Sequence, residues 1–390
     1  MRMAFVSSME VAPWGGSEYL WSDTAGRLLA SGHTVLACVP SWPDMPSRLV
    51  DLHQRGAILE CRRRPSFSIW ARGSSWLKRR LGRKEDRNAA WERIRGFRPD
   101  VVCISNGATM CGIDWMLRCL QAGVPYASIC HSNYEYWWPD DERAEVVRRA
   151  YRGCVRSYFV SDRNRRLLET QLGEPLASAE VVRNPFNVAY DAAPDWPAAS
   201  KTFRLACVGR LEPKAKGQDL ILEVLSKDKW RQRPLEVSFV GAGPCEGILR
   251  RLVTSHRLES TVRFVGHIAD VESIWKTHHA LVLPSRYEGL PLAVVEAMLC
   301  GRTSIVTDVA GNSEVVDDNV SGFIATMPST ASLDEAMERA WSRRGEWQGI
   351  GRLAATSIRE RVPSDPAATF ADKLLGLVGV GKSDLAGAIG

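Results

Sequence analysis

The sequence predicts an α/β protein made of two doubly wound domains that face each other across a cleft. Its 390 residues exceed the usual size of one compact core, so two domains are expected. Short apolar runs alternate with segments of helical spacing in both halves, which is typical of parallel sheets flanked by helices. Glycine-rich turns directly follow several of these runs, and such turns stand where parallel sheets bind ligands.

Composition argues against several classes of protein. The hydrophobic fraction of 45% is ordinary for a globular chain, and no apolar run approaches the length that spans a bilayer. The amino terminus reads as a first strand and lacks the apolar segment of a secretory signal. Ten cysteines without a C-x-x-C pair favour buried free thiols in a reducing cytosol over a disulfide or zinc framework. We therefore expect a cytoplasmic protein. Its net charge of +6 is modest for a chain of this length.

The first domain is predicted over residues 1–190 and begins with a strand from Met3 to Ser7. The turn V-A-P-W-G-G-S-E then leads into a helix, and its Gly15 and Gly16 let the backbone approach a ligand closely. The alternative is a plain turn in which Glu18 favours the helix dipole, and the residues alone leave both open. The turn lacks G-x-G-x-x-G, which argues against a dinucleotide site.

Residues 62–98 combine basic side chains with aromatic ones. This composition is typical of a helix that lies on an anionic membrane, but a solvated charged face or a nucleic-acid surface has a similar one. Ten basic residues crowd into its first part, with Phe67, Trp70 and Trp76 among them: Arg62, Arg63, Arg64, Arg72, Lys78, Arg79, Arg80, Arg83, Lys84 and Arg87.

A histidine and several aromatic residues follow a later strand of the first domain. His131 stands at the carboxyl end of that strand, where a lone histidine is more often structural than catalytic. The next residues read S-N-Y-E-Y-W-W-P-D-D. Aromatic faces suit stacking on sugar rings, but Tyr134, Tyr136, Trp137 and Trp138 would serve a hydrophobic core equally well.

The second domain is predicted over residues 202–364. Residues 191–201 are rich in Pro and Ala and aperiodic, which predicts a linker before it. A strand from Phe203 to Val208 precedes G-R-L and then E-P-K-A-K-G, which opens a helix. Two further strands end in Gly241-Ala242-Gly243 and in Gly266-His267, so the pattern of a strand followed by glycine repeats.

Residues 279–316 carry most of the functional information, because they form one strand, loop, helix and strand unit. Glu288 precedes Gly289-Leu290-Pro291 in the loop, where the N–H groups that open the helix form an anion site. Glu296 lies about a turn and a half inside the helix and can reach the same crevice. Two carboxylates and a bank of N–H donors suit a nucleotide sugar. The alternative is that Glu288 is a solvated acid in a loop and that Glu296 is an acid on a helix surface.

This stretch closely resembles the signature of family-4 retaining glycosyltransferases of the GT-B fold, in particular the bacterial cell-surface glycan type, whose two domains are Rossmann-like. Glu288 and Glu296 fall on its two glutamates, which are separated by seven intervening residues, and Gly311 and Glu314 fall on its G-N/G-x-E turn. The resemblance implies that Glu288 meets the donor sugar and that Glu296 meets the nucleotide ribose. It also implies that residues 365–390 hold a helix that returns to the first domain, followed by a tail.

The resemblance extends to other loops. The G-R-L…K-G motif implies that Arg210 and Lys216 hold the donor diphosphate, although Lys214 competes for the second position. A G-G-x-E turn and a histidine at position 131 also match, which implies that His131 lies near the donor sugar and the acceptor. The implied donor-binding residues are Gly15, Gly16, Gly209, Gly241, Gly243, His267, Gly289, Leu290, Pro291 and Glu296.

The resemblance implies transfer of a sugar from a nucleotide diphosphate to an acceptor hydroxyl, with the anomeric configuration retained and the leaving phosphate taking the acceptor proton. No D-x-D occurs in the chain, so we expect neither a metal nor another cofactor. The acceptor is expected to be a glycan or lipid-linked glycan, with residues 62–98 on the anionic inner face of the plasma membrane and no nucleic-acid partner. The G-L-P form of the loop favours UDP over GDP. An epimerase or hydrolase of nucleotide sugars and a non-catalytic sugar- or partner-binding module are the alternatives.

Overall fold

The computed structural model describes residues 1–63 and 76–378, with the backbone alone for residues 76–86. Much of the basic stretch predicted for a membrane surface therefore lies outside the described residues. This applies to Arg64, Phe67, Trp70 and Arg72 entirely, and to the side chains of Trp76, Lys78, Arg79, Arg80, Arg83 and Lys84. None of the described helices is long and apolar enough to cross a membrane.

The chain forms two compact units, each built on one parallel sheet. The first comprises residues 1–160, 164–185 and the segment from Asp365, and the second comprises residues 161–163 and 186–364. The strands are β1 (Arg2–Ser7), β2 (Thr34–Pro40), β3 (Ile58–Arg62), β4 (Val101–Asn106), β5 (Tyr126–Cys130), β6 (Arg156–Phe159), β7 (Ala179–Val181), β8 (Phe203–Val208), β9 (Leu235–Val240), β10 (Val262–Gly266), β11 (Ala280–Leu283), β12 (Thr303–Thr307) and β13 (Gly322–Ala325).

Helices follow most of the strands along the chain. They are α1 (Gly16–Ala30), α2 (Ser47–Gln54), α3 (Trp76–Phe97), α4 (Ile113–Gln121), α5 (Asp141–Arg152), α6 (Asp162–Leu172), α7 (Pro213–Lys216), α8 (Gln218–Leu225), α9 (Asp228–Arg231), α10 (Glu246–Ser255), α11 (Val271–Trp275), α12 (Leu292–Leu299), α13 (Asn312–Val315), α14 (Thr330–Ser342), α15 (Trp347–Arg361) and α16 (Pro366–Leu375), with a 3₁₀ turn at Arg344–Glu346.

The strand order of each sheet reverses beside its first strand. The first sheet runs β3-β2-β1-β4-β5-β6-β7, and the second runs β10-β9-β8-β11-β12-β13. Alternate residues of β1 enter separate cores, Ala4 and Val6 in one and Met3 and Phe5 in the other, so both faces of that sheet are covered. The predicted two-domain α/β fold is confirmed, and the reversals lie between β1 and β4 and between β8 and β11.

The C-terminal helix α16 packs on α1 in the first unit. Phe370 meets the ring of Tyr158 edge to face at 4.9 Å between centroids. Thr24 of α1 donates a hydrogen bond to the carbonyl of Ala367 at 3.2 Å.

The residues predicted as a linker, 191–201, lie inside the second unit, whose main segment begins earlier, at Phe186. Ala192 is buried in the core of that unit. Arg302 donates to the carbonyl of Asp195 at 2.6 Å and lies over the ring of Trp196.

Arg62 corrects one expectation, because it does not belong to a basic surface. Arg62 is the last residue of β3 and is 2% exposed. The basic composition of residues 62–98 gave no indication that a strand ends there. The Arg62 guanidinium donates to the carbonyl of Ser7 at 2.5 Å and to that of Cys38 at 3.3 Å. Arg87 is also tied to the first unit, since it pairs with Asp114 at 2.6 Å.

Candidate active site

The loops that leave β8 and β11 are neighbours at the switch point of the second sheet. The two strands pair in parallel, so their carboxyl ends meet at the same edge. The first loop, residues 209–217, carries the G-R-L…K-G motif, and the second, residues 284–291, carries Glu288. The structure thereby brings together residues that lie about seventy positions apart in the sequence.

Glu288 is held between a cation and a hydroxyl. Lys216 Nζ donates to Glu288 Oε1 at 2.5 Å, and Ser285 Oγ donates to the same oxygen at 2.7 Å. Thr307 at the end of β12 donates to the Ser285 carbonyl at 2.6 Å, which fixes the start of the loop. Because Glu288 is only 8% exposed, it is not a solvated loop acid.

The turn at Gly217 allows the two loops to close on each other. Gly217 has φ +67°, and a Cβ there would lie 2.0 Å from the carbonyl oxygen of Pro284. Arg286 adds a second connection, since its guanidinium binds both carboxylate oxygens of Asp219 at 2.7 Å. Its backbone N–H donates to the Ala215 carbonyl at 2.8 Å. These contacts set the position of Lys216 relative to Glu288.

Arg210 and Lys214 lie on the exposed side of the first loop. Arg210 pairs with Glu212, and its side chain is 47% exposed. Its carbonyl accepts a hydrogen bond from Gln218 Nε2 at 2.8 Å. Lys214 is exposed, whereas Lys216 is the lysine that contacts Glu288. The sequence alone did not decide which of the two lysines matches the motif, and the structure places Lys216 beside Glu288.

Glu296 is buried in α12 rather than placed on a helix surface. It is 3% exposed, and its Oε1 accepts hydrogen bonds from both the backbone N–H and the side-chain amide of Asn187, each at 2.9 Å. Burial raises the pKa of Glu296, and the two hydrogen bonds from Asn187 oppose that rise. The predicted ribose contact therefore has to use a carboxylate that Asn187 already orients.

The predicted glycines serve close approaches between loops. A Cβ on Gly241 would lie 2.1 Å from the Gly209 carbonyl oxygen, and one on Gly243 would lie 2.5 Å from that of Leu211. The loops after β8 and β9 therefore pack backbone against backbone. His267 follows β10 and is exposed.

Gly289, Leu290 and Pro291 shape the entry to α12. The carbonyl of Gly289 accepts from the N–H of Gly311 at 2.8 Å, and Leu290 is buried in the core. Pro291 precedes the first helical residue, and its carbonyl accepts from the N–H of Val294 at 3.1 Å.

In the first unit, Gly15 and Gly16 open α1 beside a buried carboxylate. Glu18 accepts hydrogen bonds from Ser7 Oγ at 3.0 Å, from Ser17 Oγ at 3.2 Å and from Trp21 Nε1 at 3.0 Å. Burial raises its pKa, and these hydrogen bonds oppose the rise. Glu18 therefore anchors the turn from inside, while a Cβ on Gly16 would meet open space.

His131 is buried at the carboxyl end of β5. Its Nε2 lies 3.2 Å from Ser105 Oγ, which also donates to the Ser17 carbonyl at 3.1 Å, so His131 is linked to the glycine turn. Burial lowers the pKa of His131 to about 3, and the neighbouring Asn184 side chain partly opposes this effect. Within the described part of the chain, His131 Nδ1 and Asn184 Oδ1 are buried, and neither atom has a hydrogen-bond partner of good geometry.

Two family models match this chain. The model described as "Glycosyltransferase Family 4" matches residues 14–190, and the model described as "Glycosyl transferases group 1" matches residues 202–343. The chain belongs to the family-4 glycosyltransferases. The two matches cover both units, and each contains the motifs described above.

Solved structures and curated proteins agree with this family-4 assignment. Anabaena HepE, solved in complex with UDP, superposes with a TM-score of 0.73 at 17% identity over 96% of this chain and 100% of its own, which shows the GT-B fold. Alpha-D-kanosaminyltransferase of Streptomyces kanamyceticus is 28% identical over 134 residues, and the match spans about a third of each chain, 34%. The Escherichia coli UDP-Gal:alpha-D-GlcNAc-diphosphoundecaprenol alpha-1,3-galactosyltransferase is 33% identical over 86 residues, 22% of each chain.

Several side chains of this family-4 site escaped sequence reasoning. Asn187, Ser285 and Asp219 orient Glu296, Glu288 and Arg286 respectively. A polar residue shortly after a strand, as at Ser285, and the N-P-F-N segment at the boundary between the two units were the available signals. No group of three or more His, Cys, Asp or Glu side chains suited to a metal ion occurs among the residues that the structure describes.

Proposed function

We propose that the protein is a retaining glycosyltransferase that moves a sugar from a nucleoside diphosphate sugar to a hydroxyl of a glycan or lipid-linked acceptor in cell-surface polysaccharide synthesis. The observation that carries the proposal is the contact between Lys216 and Glu288 at the switch point of the second sheet. A cation suited to a diphosphate and a carboxylate suited to sugar hydroxyls thereby stand on adjacent loops.

In the proposed reaction, the bond between the anomeric carbon and the β-phosphate oxygen breaks while the acceptor oxygen bonds to the same face of that carbon. The acceptor proton passes to the leaving diphosphate, so no protein nucleophile is needed. Negative charge grows on the diphosphate. Arg210, Lys216 and the amino end of α12 would stabilise it without a metal ion or cofactor. His131 is proposed to contact the sugar in its neutral form.

Both proposed phosphate-binding cations already hold a carboxylate. Arg210 pairs with Glu212, and Lys216 pairs with Glu288. A diphosphate carries more charge than one carboxylate, so it would compete with Glu212 for the half-exposed guanidinium. The remaining loops, with Gly209, Gly241, Gly243 and His267, are proposed to line the nucleotide.

A UDP-sugar is the proposed donor. Support comes from Anabaena HepE, which has been solved with UDP and with UDP-glucose, and from the G-L-P form of the loop at Gly289. A lipid-linked acceptor is supported by the Escherichia coli relative, whose name specifies a diphosphoundecaprenol substrate.

Peripheral contact with the anionic inner face of the plasma membrane is part of the proposal. Residues 62–98, apart from the buried Arg62, supply the basic and aromatic composition for it. Vesicles with anionic lipid should sediment the protein, and less so in high salt. Unchanged sedimentation after charge reversal of Arg79, Arg80 and Arg83 would assign the stretch to a solvated face.

The decisive experiment follows the products formed from UDP-glucose, UDP-galactose and UDP-N-acetylglucosamine, with undecaprenyl diphosphate N-acetylglucosamine as the lipid-linked probe. A transferase releases UDP at a rate that depends on acceptor and gives a product with the anomeric configuration of the donor. An epimerase would instead interconvert the nucleotide sugars, and a hydrolase would release free sugar without acceptor. Glu288→Gln serves as the inactive control. Failure of UDP and all three donors to bind would overturn the proposal.

A further inference from the structure

The loop between β5 and α5 displays three aromatic rings to solvent. Tyr136 is 98% exposed, Trp138 is 60% exposed and Trp137 is 37% exposed. Large aromatic side chains normally bury most of their surface, and a contiguous exposed group of them is typical of a binding site. The structure thus excludes the hydrophobic core as the role of Tyr136 and Trp138.

The loop is fixed at its start, so the exposed rings sit on a rigid base. Asn133 is buried, and its Oδ1 accepts from Thr109 Oγ1 at 2.9 Å and from the N–H of Tyr134 at 2.8 Å. Its Nδ2 donates to Gln171 Oε1 at 3.0 Å, and Gln171 in turn donates to the Tyr134 carbonyl at 2.7 Å. The Tyr134 ring supports that of Trp137 edge to face at 6.0 Å.

The loop is also fixed at its far end and lies at the ligand-binding edge of the first sheet. Asp140 accepts from the N–H of Arg143 at 2.8 Å and so caps α5. Ser132 donates to the Gly107 carbonyl at 2.7 Å, which joins the loops after β5 and β4. His131, which is linked through Ser105 to the glycine turn, directly precedes the loop.

The charges beside the rings indicate what binds them. Four carboxylates, those of Glu135, Asp140, Asp141 and Glu142, flank the rings, with Arg143 as the single cation between residues 135 and 143. Capping and the helix dipole account for the acids at the start of α5 but not for Glu135, which is exposed in the turn. Such a surface repels the anionic lipids that residues 62–98 would attract, and it repels phosphate groups.

We propose that Tyr136, Trp137 and Trp138 form the platform that binds the neutral sugar rings of the acceptor glycan. This inference rests on the proposed function, because it assigns a surface to the acceptor of that reaction. The electron-rich ring faces attract the C–H faces of a sugar, and Glu135 accepts hydrogen bonds from its hydroxyls. A neutral ligand brings no charge that would clash with the acidic flank.

The test uses the full chain and neutral methyl glycosides of glucose, galactose, mannose and N-acetylglucosamine as probes in saturation-transfer NMR. At least one glycoside should bind the wild type, with little sensitivity to salt. Binding should weaken by about tenfold in the double variant Tyr136→Ala/Trp138→Ala. Leu353→Ala, which removes an exposed apolar side chain of the second unit, is the matched control and should bind like the wild type. Unchanged thermal midpoints show that the variants fold.

UDP binding, measured on the same variants, separates this inference from the proposed function. If UDP binds and no glycoside does, or if the double variant binds glycosides as the wild type does, the platform is overturned while the transferase stands. If UDP fails to bind while glycosides still require the rings, the transferase fails and the platform stands. Loss of binding to anionic vesicles in the double variant, with glycoside binding unchanged, would make a membrane the occupant and overturn the platform.

Discussion

Glu288 is prepared for a ligand by contacts that the protein makes with itself. Lys216 and Ser285 both donate to its Oε1, so the carboxylate is oriented although it is only 8% exposed. Glu296 is oriented differently, by the backbone N–H and the side-chain amide of Asn187. The two acids of the motif are therefore distinct in environment, as their distinct proposed roles require.

The first prediction separates these two roles by kinetics. Glu288→Ala should lower kcat by about a hundredfold, because the contact with the reacting sugar changes as the bond breaks. Glu296→Ala should chiefly raise the KM for donor, because a ribose contact exists in ground and transition states alike. Calorimetry should show donor binding that survives better in Glu288→Ala. Equal loss of kcat with unchanged donor binding in both variants would show that the pair is wrongly assigned.

The second prediction concerns the neutral state of His131. Its folded pKa is about 3, whereas the unfolded value is near 6.5, so below about pH 6.5 the unfolded state binds a proton that the folded state does not. Stability is therefore full above about pH 6.5 and falls as the pH drops from there toward the folded pKa. Between about pH 7.5 and pH 5, the wild type should lose about 2 kcal/mol of unfolding free energy that His131→Gln does not lose.

Urea unfolding of the wild type and His131→Gln at both pH values measures this difference. Other titrating groups are common to the two proteins and cancel. An equal loss in both proteins would mean that His131 titrates normally and is accessible to protons. In that case the proposal that it contacts the sugar in its neutral form would also fail.

Individual residues also show which contacts could be predicted from the sequence and which could not. The motif placed Glu288 and Lys216 in one site, and their contact in the structure agrees with that placement. It did not predict that Asn187 holds Glu296, because a partner 109 residues away depends on how the first residues of the second unit pack. Arg62 looked like a surface cation because its neighbours are basic, yet it satisfies two backbone carbonyls inside the first unit.

At the scale of elements, glycines allow neighbouring loops to lie in close contact. A side chain at these positions would push the loops apart. Gly217 combines a left-handed backbone with a carbonyl oxygen 2.0 Å from the position of a Cβ. Because that oxygen belongs to Pro284, any substitution must move the loop that carries Glu288. The K-G pair of the motif is thus a lysine that contacts the glutamate and a glycine that lets it do so.

The third prediction follows from this geometry. Gly217→Ala should destabilise the protein by about 3 kcal/mol or more, since backbone strain and the clash add, and it should weaken donor binding. Gly247→Ala is the matched control, because Gly247 lies in α10 with open space around its Cβ position, and Ala favours a helix by about 1 kcal/mol. Thermal unfolding and UDP titration of both variants measure the effects. A Gly217→Ala protein as stable as Gly247→Ala would contradict the close contact of the two loops.

Most central strands were predictable because they are apolar runs, several of them closed by glycine or proline. Two of the edge strands, β3 and β13, were not predicted. β3 ends in Cys61 and Arg62 within a basic stretch, and β13 is four residues long and starts with Gly322. Such edge strands pair with one neighbour only, so their sequences carry weaker hydrophobic patterns than central strands.

At the scale of the molecule, chain length and repeated motifs were enough to predict two units of the same architecture. Which loops touch within each unit was not predictable, because that depends on strand order, and order is set by long-range pairing. The switch point between β8 and β11 decides that residues 209–217 meet residues 284–291. The resemblance supplied the roles of those residues, and the structure supplies their contacts.

The last prediction is that transfer needs no divalent metal, because protein cations stabilise the departing diphosphate. UDP release, measured by direct chromatography so that no coupling enzyme needs Mg²⁺, should proceed at the same rate with EDTA as with Mg²⁺ or Mn²⁺. Lys216→Met should reduce kcat by about a hundredfold or more. Added Mg²⁺ should not restore it, because the described residues include no group of three or more His, Cys, Asp or Glu side chains that suits a metal ion. Lys214→Met, on the same loop but away from Glu288, should retain most of the activity. A strict metal requirement in the wild type, or rescue of Lys216→Met by Mg²⁺, would show that a metal ion carries the charge instead.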